Sequence, residues 1–78
     1  MSPSYKVQFY VTRLNKFMSD AIHFLNYGYK NMNVLYKYDI ESHINEMLLM
    51  CDYLDSINET PLFISIEKIE ELEKEMNK

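Results

Sequence analysis

Tyr5-Lys6-Val7-Gln8-Phe9-Tyr10-Val11-Thr12 can be read with two periods, and the choice between them decides the fold. Read by twos, Tyr5, Val7, Phe9 and Val11 alternate with Lys6, Gln8, Tyr10 and Thr12, a strand pattern written in strand-favouring residues. Read by threes and fours, Val7, Tyr10, Val11, Leu14, Met18, Ala21 and Leu25 share one side of a helix, within an arc of roughly 140° at about 100° per residue. Phe17 and Ile22 join that arc, while Lys6, Arg13, Lys16, Asp20, His23 and Lys30 collect opposite. The helical period runs unbroken from Val7 to Leu25, well past strand length, so the sequence predicts one long amphipathic helix over 5–27. Ser4 is placed to cap it, and Gly28, followed by Asn31 and Asn33, to stop it. The alternative is a small α+β domain with strands at 5–11 and 34–38, since Val34, Tyr36, Tyr38 and Ile40 also alternate.

Outward from that helix, a tyrosine-rich connection leads to a second periodic stretch from about Asp39 to Asn58. Asp39 suits the N-cap, and Glu41 sits in the first turn, where the helix dipole favours negative charge. Ile40, Ile44, Met47, Cys51 and Leu54 make its main stripe. Leu48 and Ile57 widen that stripe, while Leu49 and Tyr53 lie off it. A helix apolar over so much of its surface is expected to be central. Thr60-Pro61 then reads as a cap followed by a first-turn proline, predicting a third helix from Pro61 to about Asn77. Leu62, Ile66, Ile69, Leu72 and Met76 form a narrow stripe there, flanked by Glu67, Glu70, Glu71, Glu73 and Glu75. Glu70 and Lys74 are spaced to pair, whereas Glu67–Glu71 and Glu71–Glu75 repel. The predicted class is all-α, one helical domain over residues 1–78.

Seventy-eight residues build a small core. Below roughly 80 residues a core seldom supplies more than about 3–5 kcal/mol, and disulfides, metals or a second copy often help. Cys51 is the only cysteine, so no disulfide framework exists within the chain. With two histidines and that thiol, a metal framework is poorly supplied, and no metal or cofactor is expected. Yet 47% of the residues are apolar, which predicts a homo-oligomer burying Leu49, Tyr53, Phe63 and Ile64. The longest apolar run, Met47 to Cys51, is far short of the ~20 residues of a spanning helix, so no membrane role is expected. The amino end lacks a secretion signal, and an unpaired Cys51 suits a reducing compartment, which together predict a cytoplasmic protein. Gly, Ala, Arg and Pro together number five, while Tyr, Ile, Asn, Lys and Met abound. That bias matches AT-rich genomes, including those of phages, plasmids and low-GC bacteria.

Charge divides the chain. Residues 1–37 hold five basic side chains and one acidic, and residues 38–78 hold three basic and eleven acidic, or about +4 and −8. No composition break separates two domains, so the halves are expected to face each other, within one chain or between copies, with surplus negative charge outward.

Chemistry-bearing constellations are sparse. Asp20 with His23, and His43 with Glu46, are carboxylate–histidine pairs at a spacing used in helical di-metal sites. Asp20 and His23 project away from the apolar arc, however, so both pairs read as solvated surface residues. The stretch Ala21-Ile22-His23-Phe24-Leu25-Asn26-Tyr27-Gly28 resembles the phosphoacceptor helix of histidine-phosphotransfer domains, where an exposed His is followed closely by Leu, Lys and Gly. Here Asn26 stands in the lysine position and Gly28 comes one residue late. The resemblance covers eight residues and implies His23 as a phosphoacceptor. No nucleophile–base pair or glycine-rich phosphate loop is present, and Cys51 reads as a core thiol. The preferred reading is therefore not an enzyme.

Phe9 and Tyr27 project among Lys6, Arg13, Lys16 and Lys30, and aromatic and arginine side chains are enriched at protein interfaces. The sequence thus predicts a non-catalytic protein-binding regulator or inhibitor of a larger machine, encoded by a phage or mobile element. Phe9, Arg13, Lys16 and Tyr27 are its partner-facing residues, and Glu67, Glu70 and Glu71 an acidic patch able to imitate nucleic-acid phosphates. The alternative is nucleic-acid binding by the basic, aromatic first half, with bases stacked on aromatics.

Overall fold

A computed structural model of the protein describes residues 4–27 and 30–78. Three α-helices stand in order along these residues: α1 Ser4–Asn26, α2 Ile40–Ser56 and α3 Ile66–Met76. Two short 3-10 turns, Met32–Val34 and Tyr36–Tyr38, fill the connection between α1 and α2. Among the described residues there is no strand, so the all-α reading holds over the α+β one. Residues 5–11 lie within α1, and 34–38 run from the first 3-10 turn through a bend at Leu35 into the second.

α1 follows its 3.6-residue period for 23 residues, which gives the molecule its long dimension of 42 Å against 21 and 18 Å. Among the described residues its last helical bond joins the Tyr27 amide to the His23 carbonyl at 2.8 Å. The expected stop at Gly28 and the capping side chain of Ser4 lie outside the described residues. The buried face is rotated from the expected arc. Leu14, Phe17, Ala21 and Phe24 are buried, while Ile22 is 42% exposed.

α2 is the central element and packs on both other helices. Its N-cap is Asp39, whose carboxylate accepts from the Ser42 amide at 2.8 Å, satisfying one of the amides that the first turn leaves free. It buries Ile44, Met47, Met50, Cys51 and Leu54, and α3 adds Ile69 and Met76 to one continuous core. Leu35 from the connection and Ile64 from the loop before α3 complete it.

The third helix is shorter than its sequence signals imply. It starts at Ile66, not Pro61, and its cap is Ser65, whose hydroxyl accepts from the Lys68 amide at 3.1 Å. The Thr60 hydroxyl is spent on the Asp55 carboxylate instead. A helix begun at Pro61 would carry Ile64 with the turn, whereas the turn observed here, closed from the Ile64 amide to the Pro61 carbonyl, sinks Ile64 into the core. Leu62, expected on the stripe, is wholly exposed as a result.

His43 corrects the surface reading most sharply, because it is 0% exposed. Nδ1 accepts from the Tyr36 amide at 2.9 Å, and Nε2 lies 2.9 Å from the Phe17 carbonyl oxygen. The neutral ring protonated on Nε2 satisfies both partners at once, donating to Phe17 and accepting from Tyr36. The imidazole also stacks on the Phe17 ring, with centroids 4.6 Å apart. One side chain of α2 therefore holds the middle of α1 and the connection together. To reach it, the chain turns tightly and places Lys37 and Tyr38 in the left-handed region (φ 54° and 57°), at a cost of about 1–2 kcal/mol each.

Core truncation tests this packing. Phe24→Ala should lose about 3–5 kcal/mol, comparable to the whole stability of so small a core, and leave a largely unfolded chain in urea titrations. Leu49→Ala, at an exposed position, should shift the midpoint by less than about 0.5 kcal/mol. Burial pushes the His43 ring below its ordinary pKa near 6.5; the Phe17 carbonyl and Asp20 oppose that shift and Lys16 adds to it. The unfolded chain then binds a proton that the folded chain refuses, so His43 supports the fold fully above pH 6.5. That support is lost as pH falls from 6.5 through the lower folded value. Thermal unfolding should show Tm declining over that window, and His43→Gln should flatten the decline.

Candidate functional site

A groove of about 530 Å³ lies between α1 and α3. Met18 and Ile22, one helical turn apart on α1, form one apolar wall. Phe63 from the loop and Leu72 from α3 form the other. Asn15, Lys68, Glu71 and Glu75 make the rim. The groove exists because α1 buries its Phe17–Phe24 side, leaving Met18 and Ile22 at the edge of the core. It also exists because α3 starts late, so that Phe63 stands beside the helix rather than on it. Leu62, next along the loop, adds further exposed apolar surface.

The electrostatics of the rim are lopsided. Lys68 lies 3.5 Å from the Phe63 carbonyl and is turned along the loop. Glu75 pairs with Lys78 at 3.0 Å. Among the described residues Glu67, Glu70, Glu71 and Glu73 have no ion-pair partner, and the expected Glu70–Lys74 pair is not formed.

The residues expected to face a partner do not form one patch. Phe9 is 58% exposed, edge-on to Tyr10, above a shallow hollow shared with Tyr5, Gln8 and Thr12. Tyr27 is exposed near the His23 ring, about 27 Å from Phe9 along the helix at 1.5 Å per residue. Lys16 is ion-paired with Asp20 at 3.0 Å. Arg13 is turned inward: its guanidinium lies 4.7 Å from the Phe17 ring centroid and 5.6 Å from that of Tyr36, and pairs with Glu46 at 3.3 Å. Glu67, Glu70 and Glu71 are exposed on α3.

The four residues assigned to an oligomer interface also separate. Ile64, 3% exposed, belongs to the core of its own chain, so it offers no surface to a second copy. Tyr53 is half-buried against Tyr10, with Lys6 over its ring at 4.8 Å. Leu49 is 67% exposed in a shallow hollow with Asn45, Leu48, Asp52 and Ile66. Phe63 alone reaches the groove.

Reactive groups give little to build on. Cys51 is fully buried, and burial, helped by the Asp55 and Asp52 carboxylates, pushes its thiol up, away from the thiolate a nucleophile requires. Among the described residues no three His, Cys, Asp or Glu side chains gather to hold a metal ion, and no helix is long and apolar enough to cross a membrane. His23 is exposed on α1. The groove itself was not legible in the sequence. Its two signals are Ile22, at the margin of the arc, and Phe63, off every stripe.

Residues 7–76 match the model of the family described as Large polyvalent protein-associated domain 11. That description points to a phage or mobile-element context. No curated protein and no solved structure matches the chain.

Within the matched stretch Arg13 has a structural position that mutation can test. Arg13→Ala removes a partly exposed ion pair and the cover over Phe17 and Tyr36, and should cost about 1 kcal/mol. Arg13→Lys keeps the charge but loses the planar stacking, and should recover only part of the loss in thermal unfolding.

Proposed function

The chain belongs to the Large polyvalent protein-associated domain 11 family, and from that premise we propose that it is a non-catalytic protein-binding domain of a phage or mobile element. It acts by occupancy, regulating or inhibiting a larger machine by holding one of its segments. The observation that carries this reading is the groove between α1 and α3, an open apolar floor of Met18, Ile22, Phe63 and Leu72 within a polar rim. Apolar surface bordered by polar groups is how a small domain presents a docking site. Simple imitation of nucleic-acid phosphates by α3 is less well supported, because its carboxylates border apolar side chains that a phosphate mimic does not need.

Nucleic-acid binding by the first half remains the second reading, favoured by exposed Tyr5, Phe9, Tyr27 and Tyr38 near exposed lysines. Against it, Arg13 and Lys16 are ion-paired, Lys6 covers Tyr53, and Lys37 lies 5.5 Å from the Tyr36 ring centroid. Few cations are left to gather phosphates.

Two measurements separate the readings. In anisotropy titrations at low salt, single-stranded and duplex DNA and RNA should not bind; binding that falls steeply with salt would favour the second reading. A photo-crosslinking side chain at position 22, in cells that make the protein, should form a discrete protein adduct that the same group at position 49 does not. Identical adducts from both positions, or none from position 22, would remove the groove as the docking site.

A further inference from the structure

We infer that the occupant of the groove is a cationic amphipathic helix of a partner protein, its apolar side chains on Met18, Ile22, Phe63 and Leu72 and its lysines or arginines opposite Glu71 and Glu75. This rests on the groove being the docking site proposed above. The shape of the floor comes first. Two helices line it, with Met18 and Ile22 one turn apart, so a ridge repeating every helical turn fits where a flat or extended surface does not.

The rim selects the charge. Glu71 has no ion-pair partner among the described residues, and Glu75 meets only Lys78, at the exposed edge of α3. Glu67 and Glu70 stand on the same short helix and add to the negative field. The one rim cation, Lys68, is turned to the Phe63 carbonyl. Carboxylates beside an apolar floor attract a cation more strongly than those on open, fully hydrated surface, because the floor excludes part of the screening water.

The same rim disfavours a second copy. Two-fold pairing through this groove would bring Glu71 and Glu75 against their own counterparts. Head-to-tail insertion of another copy's α1 fares little better, since Lys16 already pairs with Asp20 and Lys6 already covers Tyr53. A nucleic acid would meet like charge.

Three synthetic helical peptides test the assignment, identical in their leucine face and flanked by Lys, Gln or Glu. Each is titrated by fluorescence anisotropy against the wild-type chain, Ile22→Asp, the double variant Glu71→Lys/Glu75→Lys, and Glu41→Lys as a distant charge control. Circular dichroism checks that each variant keeps its helix content. The Lys-flanked peptide should bind the wild-type chain and the Glu41→Lys control most tightly. Ile22→Asp should abolish that binding. The double reversal should weaken it roughly three- to tenfold and shift preference to the Glu-flanked peptide. Equal binding by the Gln- and Lys-flanked peptides would overturn the cationic partner while leaving the groove intact. Lys-peptide binding that survives Ile22→Asp, or no binding by any of the three, would overturn the groove as well. A dimer in light scattering that Ile22→Asp dissolves would make the occupant a second copy and overturn the proposal.

Discussion

A buried imidazole can be tolerated only if both ring nitrogens find partners, and in this protein that requirement organises the chain. His43 has no solvent to fall back on, so it binds the Phe17 carbonyl of α1 and the Tyr36 amide of the connection. An unmet polar group at that depth costs about 1–3 kcal/mol, a large fraction of what a 78-residue core supplies. The two bonds fix where α1 crosses α2 and how the connection folds back. Leu35, directly before Tyr36, is thereby carried into the core. Arg13 closes the same junction from outside, stacking on Phe17 and Tyr36 and pairing with Glu46.

The sequence made the periodic elements legible and hid the junctions. Long stripes announced α1 and α2, and Asp39 announced the start of α2, because repetition and local capping need no tertiary knowledge. Thr60-Pro61 carried an equally good start signal and was wrong. A cap signal states only that a helix could begin there. The need to bury Ile64 and the competing cap at Ser65 decided that it begins later. At His43 the sequence gives conflicting signs, since its polarity argues for the surface and its position for the core. His43, Met47, Met50 and Leu54 recur at steps of four, three and four, a buried stripe that the polar residue heads. Phe24 continues the series Tyr10, Leu14, Phe17 and Ala21 in the same manner.

The groove was less legible still, for a physical reason. Its walls come from residues far apart in the chain, and no single-helix pattern contains the angle at which α1 and α3 meet. What a helix wheel reports is apolarity facing somewhere. Met18 and Ile22 satisfy that description whether they are sealed by α3 or left beside it. Only the late start of α3, with Phe63 on the preceding loop, leaves the space open.

The division of charge along the chain then takes a different meaning from mutual neutralisation of its halves. A single ion pair, Arg13–Glu46, joins the two halves among the described residues. Of the other cations of the first half, Lys6 and Lys37 lie against aromatic rings, Lys16 pairs with Asp20, and Lys30 donates to the Lys78 carbonyl. The carboxylates of α3 are thus not balanced within the fold. On a short helix such crowding is mildly destabilising, since Glu67–Glu71 and Glu71–Glu75 repel at their spacing. Packing of Ile69 and Met76 outweighs that repulsion, which leaves the field outside free to act on whatever approaches. Negative potential along the edge of an apolar cleft cannot strengthen the fold, but it can set which surface enters the cleft.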